Sequence, residues 1–177
     1  MRLLKQAFLT LLTIACFITL QAQTPSYFKL GEEELSGIDI YNILQDKDQN
    51  YWLATDNGLI KYDGYNFKKI PSKNALSSSV FDLQLDYDNN LYCKNLSGQI
   101  FQVVNDSSKV YFQIPDSLMA SEICYAFDNL NTLTIASNSI FSVDKHKEIS
   151  FLIPKKKSGN RFYQILKLKD STLISHN

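Results

Sequence analysis

Two stretches place oxygen ligands at alternate positions, Asp46-x-Asp48-x-Asn50 and Asp86-x-Asp88-x-Asn90. Alternate carboxylate and amide oxygens can converge on one cation, as they do in calcium loops. The rest of that pattern is missing, because Tyr51 stands where the sharp turn needs glycine and Asn57 stands at the twelfth position. Asp and Asn also close hairpin turns by accepting hydrogen bonds from the backbone just ahead of them, and turn chemistry is the favoured reading. Trp52 could stack on a sugar, but a Trp inside an apolar strand suits a core. Lys155-Lys156-Lys157 and Glu32-Glu33-Glu34 read as solvated loops. His146 and His176 lie thirty residues apart, without the spaced Cys or His of a zinc site. With no nucleophile elbow, phosphate loop or catalytic carboxylate pair, the sequence points to no catalytic, metal or cofactor site.

What positions these residues is a repeat of about forty residues, a period that decides the fold. In the best copy Ile40–Gln45 is a first strand, Asp46–Asn50 a turn, and Tyr51–Thr55 a second strand. Asp56-Asn57-Gly58 turns into Leu59–Tyr62, and Asp63-Gly64 turns into Phe67–Ile70 before Pro71. Asp46, Asp48, Asn50, Gly58 and Ile60 recur forty residues later as Asp86, Asp88, Asn90, Gly98 and Ile100, with Tyr92 answering Trp52. The second copy predicts strands at Val80–Leu85, Leu91–Lys94, Gln99–Val104 and Val110–Ile114. A thinner third copy runs from Glu122 to Ile153, and a fourth begins at Phe162. A proline closes the fourth strands, which suits an outermost strand where a missing N–H breaks no ladder.

The N-terminus carries Arg2 and Lys5, then the uncharged apolar stretch Ala7–Leu20, then Ala22 at a cleavage position. These are the marks of an export signal over residues 1–22, too short to cross a bilayer comfortably. Its removal takes the 18 basic residues to 16 against 18 acidic, a net charge near −2. Such a charge gives no footprint for nucleic acid. No second apolar segment could span a membrane. Cys93 and Cys124 sit in predicted strands and read as small buried hydrophobes, with a disulfide between neighbouring repeats as the alternative.

Four short antiparallel strands per repeat predict an all-β fold, a β-propeller with four-stranded blades. The second strand is apolar on both faces, with Trp52 and Ala54 opposite Tyr51 and Leu53, which fits a blade stacked between neighbours. The expected blades are 38–71, 79–115, 121–154 and an incomplete 161–177, about three and a half in all. Tyr27–Leu30 is expected as a ring-closing outer strand. Together these make residues 23–177 a partial propeller in a polypeptide expected to continue beyond residue 177.

The run Ile43 to Gly64 resembles the two-component regulator propeller repeat (Reg_prop). Asp46, Asp48, Asn50, Trp52, Thr55, Gly58, Leu59, Asp63 and Gly64 carry the resemblance as structural positions, and Gln49 departs from it where the family often has Gly. The resemblance implies the sensor region of a Bacteroidetes-type periplasmic-sensing histidine kinase or related regulator, exported and non-enzymatic in itself. Its implied partners are an unidentified small-molecule or glycan ligand and the further blades and output domains of the same polypeptide. The alternatives are a secreted or surface-attached propeller for adhesion or scaffolding, or less favourably a propeller lyase or glycan-active enzyme.

Stacked repeats bury one another's faces, so an unclosed array leaves apolar blade surface in water. Residues 23–177 expressed alone are expected to aggregate or to melt without cooperativity. Differential scanning calorimetry with light scattering checks this, and a monodisperse monomer with one sharp transition would contradict it.

Overall fold

The computed structural model describes residues 27–153, the backbone of residues 162–168 and 171–176, and residues 2, 5, 6, 8 and 10. The chain divides into two compact units, Met1–Glu32 and Glu33–Asn177. In the first unit the described residues between Arg2 and Thr10 are helical. Among the described residues no helix is long and apolar enough to cross a membrane. Tyr27–Leu30, expected as a strand, forms none, and Tyr27, Phe28 and Leu30 are exposed. An extended segment makes its hydrogen bonds between strands rather than within itself, so a lone one has nothing to fix it.

The second unit is a run of antiparallel meanders. Sheet I holds β1 (Ile40–Gln45), β2 (Tyr51–Thr55), β3 (Gly58–Tyr62) and β4 (Phe67–Ile70) in that order. Sheet II holds β5 (Phe81–Leu85), β6 (Leu91–Lys94), β7 (Gln99–Val104) and β8 (Ser107–Gln113). After one 3₁₀ turn at Asp116–Leu118, sheet III holds β9 (Cys124–Phe127), β10 (Leu133–Ala136), β11 (Ile140–Val143) and β12 (Ile149–Ile153). A hairpin of β13 (Phe162–Leu168) and β14 (Ser171–His176) follows. This is the incomplete propeller architecture that the repeats predict.

Each sheet is held by what its alternating side chains meet. Trp52, Ala54, Leu59 and Ile70 of sheet I pack with Leu83, Leu91, Cys93 and Phe101 of sheet II. The other face of sheet II sends Tyr92, Ile100 and Phe112 against Tyr125, Phe127, Leu133, Ile135, Phe141 and Val143 of sheet III. Sheet III repeats the division, since Cys124, Ala126, Ala136 and Ile140 form a separate cluster. Cys93 and Cys124 are therefore buried thiols in different clusters, and no disulfide joins neighbouring repeats through them. In β2, Leu53 is buried but Tyr51, expected to point with it into a neighbour, is 43% exposed at the strand's end.

The turns are the fold's other constant. In Asp46–Asn50 the Asp46 Oδ1 accepts the Asp48 and Asn50 amides, each at 2.9 Å, and the Asp46 amide donates to the Asn50 carbonyl. The same bonds recur in Asp86–Asn90, Asn95–Gln99, Asp128–Thr132 and Asp144–Glu148. The fourth residue is left-handed every time: Gln49, Asn89, Gly98, Asn131 and Lys147 have φ of 66°, 62°, 75°, 58° and 70°. That conformation suits Gly or Asn best, which accounts for the glycine that the family often has where Gln49 stands. At residue 98 a side chain would also have to displace the end of the Met119 side chain, whose sulfur lies against the position of a Cβ.

The second copy departs from its predicted strands at one point. β8 begins at Ser107 rather than Val110, because Asn105 and Asp106 (φ 49° and 54°) make a two-residue hairpin in which both turn residues are left-handed.

Burial raises the Asp46 pKa, but hydrogen bonds from Trp52, Asn50 and Asp48 outweigh it and hold the carboxyl below its ordinary value. Its stabilising contribution is complete above about pH 4, the unfolded value, and is lost as pH falls through the lowered folded value. Asp46→Ala should cost about 2 kcal/mol of local protection, read by hydrogen exchange of the β2 amides. The acid-induced red shift of Trp52 emission should vanish in Asp46→Asn. Gln49→Gly should raise protection of the same amides by up to about 1 kcal/mol, whereas an unchanged or faster exchange would show that φ at this position carries no cost.

Candidate functional site

The motif residues of the first repeat do structural work together. Asp46 Oδ2 accepts the Trp52 indole N–H at 2.8 Å and the Asn50 side-chain amide at 3.0 Å. Trp52 thereby joins the turn to the interface between sheets I and II, and Lys61 lies 5.3 Å from the centre of its ring. Tyr92 does the same in the second repeat, donating its hydroxyl to Asp86 Oδ2 at 3.2 Å. Thr134 stands at this place in the third repeat, buried and too short to copy the bond. Thr55 donates to the Gly58 carbonyl at 2.6 Å and accepts the Asn57 amide, in a turn where Gly58 has φ of 104°. Leu59 is fully buried. Asp63 accepts the Tyr65 and Asn66 amides, and Gly64 (φ 97°) takes the turn itself. Among the polar side chains of the motif, that of Asp48 is exposed and takes no part in this network.

Charged groups gather between sheets I and II, where Lys61 and Lys68 meet Asp106, and again where sheets II and III meet. Asp82 sits in β5 at a break in its pairing with β6, left-handed at φ 51°. Such a residue inside a strand marks a bulge that re-aims its side chain. The Asp82 carboxylate receives the Lys94 ammonium at 2.8 Å, and Lys94, at the end of β6, also donates to the Ile123 carbonyl of the segment entering β9. The Tyr125 hydroxyl donates to the Asp82 carbonyl at 2.6 Å, and Gln84 donates to the Tyr125 carbonyl at 2.6 Å. Burial, with Cys93, Asp82 and Tyr92 nearby, keeps Tyr125 protonated far above the usual range.

Beside this strap is a cavity of about 280 Å³ lined by Asp82, Lys94, Asn95, Leu96, Ala120, Ser121, Glu122 and Ile123. One carboxylate oxygen of Glu122 is closed off from solvent without a hydrogen-bond partner. Cys124 registers the same charges. Burial pushes its thiol up to about 11, with Lys94 pulling the other way and Asp82 and Glu122 adding to the rise. A thiol held in that state is no nucleophile at neutral pH. The arrangement can hold a small molecule by charge and hydrogen bonds.

Sequence motifs did not single out Asp82, Lys94 or Glu122. The available signal was a break in the repeat, since the first copy has Asn42 and Ala54 forty residues before Asp82 and Lys94. His146 is exposed, its amide bound within the Asp144 turn. Lys155–Lys157 lie outside the described residues, as does the side chain of His176. Among the described residues no group of His, Cys, Asp or Glu is placed to hold a metal.

The family model described as "Two component regulator propeller" matches residues 34–57, which span β1, β2 and the Asp46 turn between them. A comparison with curated proteins found no match. Among solved structures, the extracellular domain of a B. thetaiotaomicron one component system is similar at 19% identity and a TM-score of 0.58, over 76% of this chain and 21% of that one. The extracellular domain of a hybrid two component system from the same organism gives 18% identity and 0.63, over 85% and 24%. Virginiamycin B lyase from Staphylococcus aureus gives 19% and 0.52, over 71% and 44%. Likeness at these identities is likeness of fold, and the chain spans less than a quarter of the first two domains. The β1–β2 hairpin thus matches a two component regulator propeller repeat, in a chain whose fold is an incomplete β-propeller.

Proposed function

We propose that this chain is an extracytoplasmic ligand-sensing sector of a propeller, part of a membrane signal-transduction receptor of the two-component or a related type. The observation that carries this reading is the regulator propeller match at residues 34–57, falling on the first two strands of a four-stranded sheet. Two neighbours of like fold are extracellular domains of such systems, and the N-terminal 22 residues have the pattern of an export signal. Binding is the sector's part in this reading. A ligand at a junction between sheets would change how one blade sits on the next, and the stacked array would pass that change along. Kinase or transcriptional output would come from other domains of the same polypeptide.

The nucleotide sequence following codon 177 tests the reading, and it is expected to continue in frame into further blades, a membrane helix and an output domain. In that complete polypeptide, Asp82→Asn should shift the ligand dose required for transcriptional output by tenfold or more, since it loosens the strap between sheets II and III. Unchanged dose dependence in Asp82→Asn would remove this junction from signalling.

A further inference from the structure

We propose that the junction between sheets I and II closes by a clasp, in which the Asn89 side chain docks on the Asp48 carboxylate and the Lys47 amide and sheet I tilts on sheet II. Its purpose rests on the sensing reading, but its geometry follows from the next junction, where the same clasp is already made. There the Asn131 side-chain amide donates to Asp88 Oδ2, and Asn131 Oδ1 accepts the Tyr87 backbone amide at 3.0 Å. Tyr87 and Asp88 are the second and third residues of the Asp86 turn, and Asn131 is the fourth of the Asp128 turn. One junction earlier those places belong to Lys47, Asp48 and Asn89. Asn89 and Asn131 share a left-handed backbone, with φ of 62° and 58°, so the side chain leaves both turns in the same direction.

The first junction has the parts of this clasp and lacks its bonds. Among the described residues, the Asp48 carboxylate, the Asn89 side chain and the Lys47 amide have no hydrogen-bond partner, and all three residues border one cavity of about 230 Å³. Both turns are closed on their leading Asp by bonds of 2.8 to 2.9 Å, so the gap shuts by one turn approaching the other and not by remodelling either. The remaining ties permit that approach. The far end of the junction is pinned by the Val80 amide on the Thr55 carbonyl at 2.9 Å and the Ser79 hydroxyl on the Asp56 carbonyl at 3.0 Å, and the outer edge by the Ser108 amide on the Pro71 carbonyl at 2.9 Å. At the turn end Lys61 and Lys68 hold Asp106, and lysine stems are flexible enough to follow a tilt. A junction pinned at one end and tethered at the other is a hinge. The second junction is fastened at both, by Asn131 at the turn end and by Lys94 at the far end. An amide N–H on a carboxylate is a charge-assisted bond, and both partners already stand on ordered turns, so little freedom is lost in making it.

The test is disulfide trapping in the full chain carrying Cys16→Ser, where Cys93 and Cys124 are buried. The first pair, Asp48→Cys with Asn89→Cys, spans the open clasp, and the second, Asp88→Cys with Asn131→Cys, spans the one already made. The third, Asp48→Cys with Tyr87→Cys, joins the same two turns outside the clasp. Asp48, Tyr87 and Asn89 are exposed, so their substitution leaves the cores intact. Mass spectrometry maps the links, with isotopically light and heavy chains mixed so that links within a chain are told from links between chains. The first pair should link within a chain no more than about a hundredfold slower than the second, the ratio for a closed state populated about 1% of the time, and at least about tenfold faster than the third. No link in the first pair under conditions that complete the second, or equal rates in the first and third pairs, would each overturn the proposal. In the complete polypeptide, oxidising the first pair should shift ligand-dependent output and reduction should restore it. Linking of the first pair with no ligand-dependent output in the complete polypeptide would sink the sensing reading and leave the clasp standing. Ligand-dependent output in a chain whose first pair does not link would do the reverse.

Discussion

A sheet that is apolar on both faces cannot stand alone in water, and the rest of this molecule depends on that constraint. Sheet II shows it most fully. Leu91 and Cys93 of β6 turn toward sheet I while Tyr92, between them, turns toward sheet III. The alternation that would make a strand half-wet in an ordinary sheet here makes it dry on both sides. Each sheet therefore completes its neighbour, and the polar groups that remain must be tied within turns or across the junctions.

Those ties explain which residues repeat. An Asp at the head of a five-residue turn satisfies two amides with one oxygen and leaves the other free for the next strand. Trp52 uses it through an indole N–H and Tyr92 through a hydroxyl. The aromatic position is thus doubly determined, by the apolar volume it fills between sheets and by the donor it carries back to the turn. An aromatic lacking the donor would fill the space and leave the carboxylate oxygen short of a partner.

Much of the fold was legible because turns and strand periods are local properties. The Asp-x-Asp-x-Asn runs, the glycines and the two-faced second strand were enough to establish an all-β propeller architecture. Asn105-Asp106 escaped because its turn type depends on both residues adopting a left-handed conformation, which an Asn-Asp pair permits without announcing. Tyr27–Leu30 has the composition of a strand, but pairing is a property of two segments and composition belongs to one. The cavity was not legible at all. Asp82 owes its direction to a bulge, Lys94 to the end of a strand and Glu122 to an inter-sheet loop, and only the stacking of two sheets brings them together.

The two junctions between described sheets each join charged pairs to uncharged bonds. Lys61 and Lys68 grip Asp106 across the first, beside the Ser108 amide's bond to the Pro71 carbonyl and the Val80 amide's bond to the Thr55 carbonyl. The second is fastened by the Asp82–Lys94 pair, whose lysine is 13% and whose aspartate is 44% exposed, and by the Tyr125 and Gln84 bonds to backbone carbonyls. Dissolved salt weakens charges that water already reaches and spares those that it does not. Rising ionic strength would therefore loosen the charged ties of both seams, most of all at Lys68, and leave the uncharged bonds to keep the sheets in register.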